Sequence, residues 1–495
     1  MTTTHTSLDA AAIKRAATDF ASSLTSNSLL ASPDSKIHLP TPLLSDLPTA
    51  ASTLLAIDKQ ARQVVAFAES FPGFHPGDTG VCFMRLLKKT FGFVSLDGSS
   101  SFFGKKPPLL YNIRTGINPS DVEPMIFGDI SIPGLGDSVS LSINTNLDAP
   151  LPYLTISGKC EQRHLGAVTA LLAALKRDLP LTSIYRNQAI RVSWKWRRDG
   201  DNYDLVEHAP TFLDLSRSNY SNIVLTEEAT RQVAANLFLP IIHGSDWNKY
   251  GFARKSGVLM QGPPGCGKTE TLLKVANLCA LHSRTYIQCS SVHDLESAVH
   301  MALSYQPCVV AVEDIDKVAE GRNTSVDALL NIIDGTETKN RDILFVATTN
   351  DVDSITEAML RPGRLGDGFI YMGPPDEVAV GRLIRVTATN SLTPGTDISE
   401  ACRLMAGSLP AVIVATVQAA RKYALVRTGM TSDLITSDDL ISAFRERSAQ
   451  IALLTPPEED DRSDFEKAAQ ILANALTDVL TPVEESPSGS PSLST

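Results

Sequence analysis

No stretch of the sequence approaches the ~20 consecutive apolar residues that a membrane-spanning helix needs, so no span is expected. The opening MTTTHTSLDAAAIKRAATDF lacks the continuous apolar core of a secretory signal. Seven cysteines (Cys82, Cys160, Cys266, Cys279, Cys289, Cys308 and Cys402) form no CxxC pair and no close His/Cys cluster, which argues against a zinc site and a disulfide framework. A reducing cytoplasm is the expected compartment. Aromatics are sparse at 6%, and 44 basic residues face 55 acidic ones, a net charge of -11 that is opposite in sign to a chain-wide nucleic-acid binder. Nine acidic and two basic residues in 455–495 carry -7 of that charge, so the rest of the chain is only mildly acidic and a local basic patch stays open.

What remains is an ordinary globular composition, 43% hydrophobic and 20% charged over 495 residues, enough for two to four domains at roughly 100–200 residues each. Leu8, Ile13, Ala16, Ala17, Phe20 and Leu24 recur at helical spacing, and a Ser/Pro/Thr-rich linker follows, so 1–49 reads as a helix and linker. Residues 50–208 mix signals into an α+β recognition domain. Helices are expected near Ala61–Glu69 and Gly80–Thr90, strands at SVSLSINT and YLTISGK, and an amphipathic helix through Leu165, Val168, Leu172 and Leu175.

From 209 to 375 the pattern changes. Five short apolar runs (SGVLMQ, TYIQC, CVVAV, ILFVATT, FIYM) alternate with helix-length spacers, the signature of a parallel sheet covered by helices. Residues 376–454 carry only helical periodicity and read as a helical lid, and 455–495 as an acidic helix with a Ser/Pro-rich end.

The first apolar run leads into Gly262-Pro263-Pro264-Gly265-Cys266-Gly267-Lys268-Thr269, which fits GxxxxGK[ST], with Glu270 next in the following helix. Glycines let the backbone curl around phosphate with its N–H groups inward; Lys268 supplies a cation and Thr269 a hydroxyl for magnesium. Cys266 reads as a small filler rather than a redox switch. The CVVAV strand ends in Glu313-Asp314-Ile315-Asp316, acids suited to magnesium and to water activation. NTPases of this kind more often read Asp-Glu. By position Glu313 would hold magnesium through water and Asp314 would polarise the attacking water. Asn350 ends the ILFVATT strand, where it would orient that water. The Leu360-Arg361-Pro362-Gly363-Arg364 turn presents two guanidinium groups suited to acting in trans on a neighbour's phosphate.

In their order, these motifs resemble the AAA ATPases, and within them the Bcs-type assembly translocases, through the Glu-Asp-Ile-Asp order, the helix SVDALLNIIDGTE, the TTN sensor and the RPGR turn. The resemblance implies a P-loop NTPase sheet of five parallel strands in the order 5-1-4-3-2, a helical lid, ATP and Mg2+ as cofactors, and a homo-oligomeric ring, a hexamer or heptamer. It implies Asn350 as first sensor, Arg361 as leading arginine finger and Arg364 as its companion. The chain departs from the subgroup in having no membrane helix. It departs from threading AAA proteins in having no aromatic-hydrophobic-glycine loop between the second and third strands, and its Gly407-Ser-Leu-Pro-Ala411 segment only loosely matches the usual lid turn.

The expected function is Mg-ATP hydrolysis that remodels or assembles a protein partner; the alternative is a nucleic-acid-associated ATPase. The alternative draws on Arg191-Val-Ser-Trp-Lys-Trp-Arg-Arg198, whose Arg191, Lys195 and Arg197 would share one strand face opposite Val192, Trp194 and Trp196. The other reading of that segment is an amphipathic strand with its tryptophans in the core.

Overall fold

The computed structural model describes residues 55–92, 99–101, 104–106, 109–131, 140–146, 151–193, 209–216, 223–252, 256–289, 294–316 and 341–454. The expected helices at 8–24, 325–337 and in the acidic tail lie outside these residues. By contact density the chain divides into two units, 1–383 with 406–411, and 384–405 with 412–495.

The first unit opens on β1 (Val64–Ser70), α1 (Pro76–Phe91), the short pair β2 (Ser99–Ser101) and β3 (Gly104–Lys106), then β4 (Leu109–Arg114), β5 (Val122–Ser131), β6 (Ser140–Asn146), β7 (Tyr153–Glu161) and α2 (Gln162–Thr182). The order β1-β7-β6-β5-β4 makes an antiparallel sheet, with α1 against β5 and β7 and α2 against β1 and β7. The helix expected at Ala61–Glu69 is instead β1. Val65 and Phe67 pack on the core while Val64, Ala66 and Ala68 face solvent, a period of two that the alanines' helix preference does not overcome once β7 offers a pairing edge.

The second sheet begins with β8 (Ala189–Val192) and β9 (Thr211–Phe212), followed by α3 (Glu227–Val233) and α4 (Leu239–His243). Next come β10 (Ser256–Gln261), α5 (Lys268–Leu281), β11 (Thr285–Cys289), α6 (Leu295–Ser304), β12 (Cys308–Val312), β13 (Ile343–Thr349) and β14 (Gly368–Tyr371). Its order is β14-β10-β13-β12-β11-β8-β9, parallel throughout except for β9. The expected five strands are therefore seven, because β8 lies before the boundary placed at 208 and adds to β11 as a sixth parallel strand. Alternate residues feed two cores. Val258, Met260, Tyr286, Val309, Ala311, Leu344 and Val346 meet Leu272, Val275, Ala276 and Cys279 of α5 on one face. On the other, Leu259, Ile287, Val310, Val312, Phe345 and Ala347 join a core that continues through α6 into Phe83, Leu87, Leu172 and Leu175. Burial on both faces is why these strands read as unbroken apolar runs.

One polar cluster lies inside the continuous core. Asp78 of α1 is fully buried, accepting hydrogen bonds from Ser183 Oγ (2.7 Å), the Ile184 amide (2.8 Å) and the Tyr305 hydroxyl (2.7 Å). Burial raises its carboxyl above the usual 3.8 despite these donors. A raised native pKa means that the folded state binds more protons than the unfolded one, so this contribution to stability is present below 3.8 and is lost as pH rises through the native value. Asp78→Asn removes the titration. The melting temperature of the variant relative to the parent is expected to climb as pH increases from 4 to 8, and a pH-independent difference would show that Asp78 does not titrate with folding.

In the second unit α8 (Ser399–Met405) packs on α10 (Ser437–Leu454), and Leu392 bridges Ile435 beside α9 (Pro410–Arg427). Arg421–Asp433 ties α9 to the segment that leads into α10, and Arg427–Asp439 ties it to the first turn of α10 (2.5 and 2.9 Å). Helix α7 (Glu377–Ala388) spans the division at 383.

Candidate functional site

Register brings the motifs together. Gln261 pairs with Thr349 and Val312 with Ala347, so the residues after β10, β12 and β13, namely Gly262, Glu313 and Asn350, emerge side by side at the C-terminal edge of the sheet. This edge is where open parallel sheets bind ligands. The loop 262–269 is shaped by Gly265 (φ 83°) and Gly267 (φ 96°), both in the left-handed region. Gly262 is required by space as well: a Cβ there would sit 2.2 Å from the Met372 carbonyl oxygen and 2.8 Å from Cys266 Sγ. Cys266 is itself buried, and burial raises its thiol above the ordinary value, which suits a filler. Pro263 is half-buried, and Pro264 and Glu270 are exposed on the rim.

Lys268, the first residue of α5, is only 8% exposed. Its ammonium donates to the Gly262 carbonyl (2.5 Å), the Pro263 carbonyl (3.2 Å) and Asn350 Oδ1 (2.8 Å), with Cys266 Sγ at 3.9 Å. Among the described residues it faces no carboxylate. A buried cation held only by neutral oxygens and a thiol is completed by an anion, and the helix dipole and inward amides of the loop favour the same charge. The site therefore fits a phosphate.

The hydroxyl of Thr269 donates to Glu313 Oε2 (2.8 Å), and Gln288 Nε2 donates to Glu313 Oε1. A hydroxyl beside a carboxylate is the hard-oxygen donor set that suits magnesium. Asp314 takes φ 50°, uncommon for a residue with a side chain, although Asp is among those that tolerate it. Two bonds to Thr348 hold it there: the Asp314 amide donates to Thr348 Oγ1 (3.0 Å) and the Ile315 amide to the Thr348 carbonyl (2.9 Å). Asn350 Nδ2 donates to Asp314 Oδ1 (3.3 Å) and Asp316 Oδ2 (3.5 Å) while its Oδ1 accepts from Lys268. Asn350 thus joins the phosphate-side cation to the acids. Gln288 has no place in the local motifs and only strand pairing brings it to Glu313, whereas Thr348 and Asp316 lie within the TTN and Glu-Asp-Ile-Asp motifs and the structure adds what they bond to.

The structure sets Arg361 and Arg364 apart from this edge. A Cβ on Gly257 would lie 1.7 Å from the Arg364 carbonyl oxygen, so the arginine turn packs on the N-terminal end of β10. The phosphate loop leaves the other end, roughly 16 Å away at ~3.3 Å per residue. Asp367 fastens the turn, accepting from the Gly257 amide (3.0 Å) and the Gly363 amide (2.7 Å). Arg364 donates to the Ala358 carbonyl (2.5 Å), and Arg361 is exposed without a carboxylate partner among the described residues. The segment 407–411 does meet the phosphate loop: the Ala411 amide donates to the Gly265 carbonyl (3.1 Å), and Gly407 takes φ 79°.

Residues 258–371 match the sequence model of the family described as "ATPase family associated with various cellular activities (AAA)". The chain carries an AAA ATPase domain. It is similar to the "ATPase family gene 2 protein" of Schizosaccharomyces pombe, 34% identical over 185 residues that make up 34% of this chain and 22% of that protein. It is also similar to the "ATPase family gene 2 protein" of Saccharomyces cerevisiae, 31% identical over 234 residues, 43% of this chain and 30% of that one. The match spans less than a third of either relative's length. The AAA match runs from β10 through β14 and so takes in the phosphate loop, the acids, Asn350 and the arginine turn, while β8 and β9 lie outside it.

Proposed function

We propose that the chain binds Mg-ATP at the C-terminal edge of the β10–β13 strands and hydrolyses it in a ring of copies, using the cycle to remodel or assemble a protein partner. The observation that carries this reading is the separation along β10. Lys268, Glu313, Asp314 and Asn350 lie at one end of the strand, and the arginine turn lies at the other, a separation that suits arginines acting on a neighbouring copy's phosphate. Lys268 would take phosphate oxygens in place of the Gly262 and Pro263 carbonyls. Thr269 and Glu313 would hold magnesium, which when bound neutralises charge on the phosphates. Asp314 would accept the proton of the attacking water, with Asn350 orienting that water, and Arg361, with Arg364 behind it, would stabilise charge on the neighbour's phosphate. The Glu313-Asp314 order and the TTN and RPGR motifs support the Bcs-type likeness. The N-terminal sheet with α1 and α2 is the part suited to selecting the partner.

ATPase rate per subunit, measured across protein concentration, tests the reading. It is expected to rise steeply as copies assemble, and a constant rate from a monomer would overturn the ring. Lys268→Ala is expected to weaken binding of a fluorescent ATP analogue by at least about 10²-fold and up to about 10³–10⁴-fold, since breaking a buried charge pairing costs ~3–5 kcal/mol. The nucleic-acid reading counts Arg191 in its basic face, and here that side chain reaches Gln288 (3.4 Å); Trp194, Lys195, Trp196 and Arg197 lie outside the described residues. Salt-sensitive stimulation of the ATPase by DNA would favour that alternative.

A further inference from the structure

A glutamate at the magnesium-side position has one more methylene, and one more rotatable bond, than the aspartate commonly found there. Its carboxylate needs a second anchor to stay beside Thr269. Gln288 supplies that anchor. It is the fourth residue of β11, 7% exposed, on the sheet face covered by α5. In the parallel register Gln288 sits opposite Ala311, two residues before Glu313 and on the same face, and opposite Arg191 of β8 on its other side. Arg191 Nη2 donates to Gln288 Oε1 (3.4 Å), and Gln288 Nε2 donates to Glu313 Oε1, leaving Oε2 for Thr269 (2.8 Å). Chemistry fixes the direction of this row. A guanidinium only donates and a carboxylate only accepts, so the amide between them has one orientation that satisfies both.

We propose that Gln288, oriented by Arg191, is a positioning residue that clamps Glu313 in its metal-binding rotamer and so compensates for the exchanged acidic pair. The proposal rests on the reading of Glu313 as the magnesium-side acid. It also gives β8, which the AAA match does not include, a line to the metal site through a single side chain.

The test is a Mg2+ titration of the binding of a fluorescent ATP analogue to the full chain, repeated in EDTA. Gln288→Leu is expected to raise the Mg2+ half-saturation about tenfold, the size expected for losing one hydrogen bond to a charged group, with affinity in EDTA unchanged. Gln288→Met keeps nearly the same length and removes the donor without adding charge, so it should give the same rise if the leucine variant does not fold. Arg191→Ala should give a smaller rise of about threefold, because it frees the amide to turn without deleting it. In a Glu313→Asp background, where the arm is shorter, Gln288→Leu should change the half-saturation by less than about twofold. Equal weakening with and without Mg2+, or the same tenfold rise in the Glu313→Asp background, overturns the proposal. Glu313→Ala separates the two readings. If it leaves the Mg2+ dependence unmoved, the assignment of Glu313 fails; if it moves that dependence and neither Gln288 variant does, only the clamp fails.

Discussion

Asp314→Asn is expected to lower the ATP turnover rate by about 10³-fold, within the 10²–10⁴ range for removing a positioned general base. Binding of ATP should change by less than about threefold, because Lys268 is held by two carbonyls and Asn350, and Thr269 by Glu313. The substitution is close to isosteric, and asparagine is as tolerant as aspartate of the left-handed backbone at φ 50°. The bonds between the backbone of 314–315 and Thr348 do not involve the changed side chain, so the strand end should keep its shape. Single-turnover hydrolysis beside equilibrium binding checks both halves of the expectation. A turnover loss of less than tenfold would mean that the shorter acid is not the base and would turn attention to Asp316, which shares Asn350 with it. A tenfold loss of binding would mean instead that the acid cluster shapes the phosphate loop. The variant that binds and does not turn over is also the form with which to capture the partner, since it should hold the assembled ATP state.

Arg361→Ala is expected to reduce turnover by a comparable factor, about 10³, the lower end of what an arginine acting in trans contributes to phosphoryl transfer. The cause is different. Arg361 is an exposed side chain on a turn that Asp367 pins to the start of β10, at the far end of that strand from its own phosphate loop. Loss of the guanidinium should therefore leave ATP affinity of the isolated subunit unchanged. Mixing provides the decisive readout. A copy with Arg361→Ala retains a sound Asp314, and a copy with Asp314→Asn retains a sound arginine. Combined oligomers should recover a measurable fraction of activity that neither variant has alone. Full activity of Arg361→Ala, or no recovery on mixing while both variants still assemble, would sink the trans assignment.

The phosphate loop was legible because its chemistry is contiguous. Eight residues carry the glycines, the cation and the hydroxyl, and the strand before and helix after follow from apolar patterning on either side. The acids and Asn350 stand out in the sequence for the same reason, as short markers at the ends of apolar runs, and the arginine turn as a contiguous RPGR. The strand at Val64–Ser70 was not, since alternating valine, alanine and phenylalanine satisfy helix and strand patterns over so few residues, and pairing with β7 decided between them.

The sequence by itself determined the local devices: a glycine loop whose form fits a phosphate, an acidic strand end, and apolar periods that make a parallel sheet buried on both faces. Tertiary structure alone decided which of these devices meet. It set the arginine turn at the opposite end of β10 from the loop, joined Asp78 to Tyr305 across 227 residues, and lined up Arg191, Gln288 and Glu313 across three strands. The physical reason is that backbone dihedrals and side-chain periods are fixed by near neighbours. The register that aligns distant strands is fixed by the burial of both sheet faces at once, and no short stretch of sequence contains that constraint.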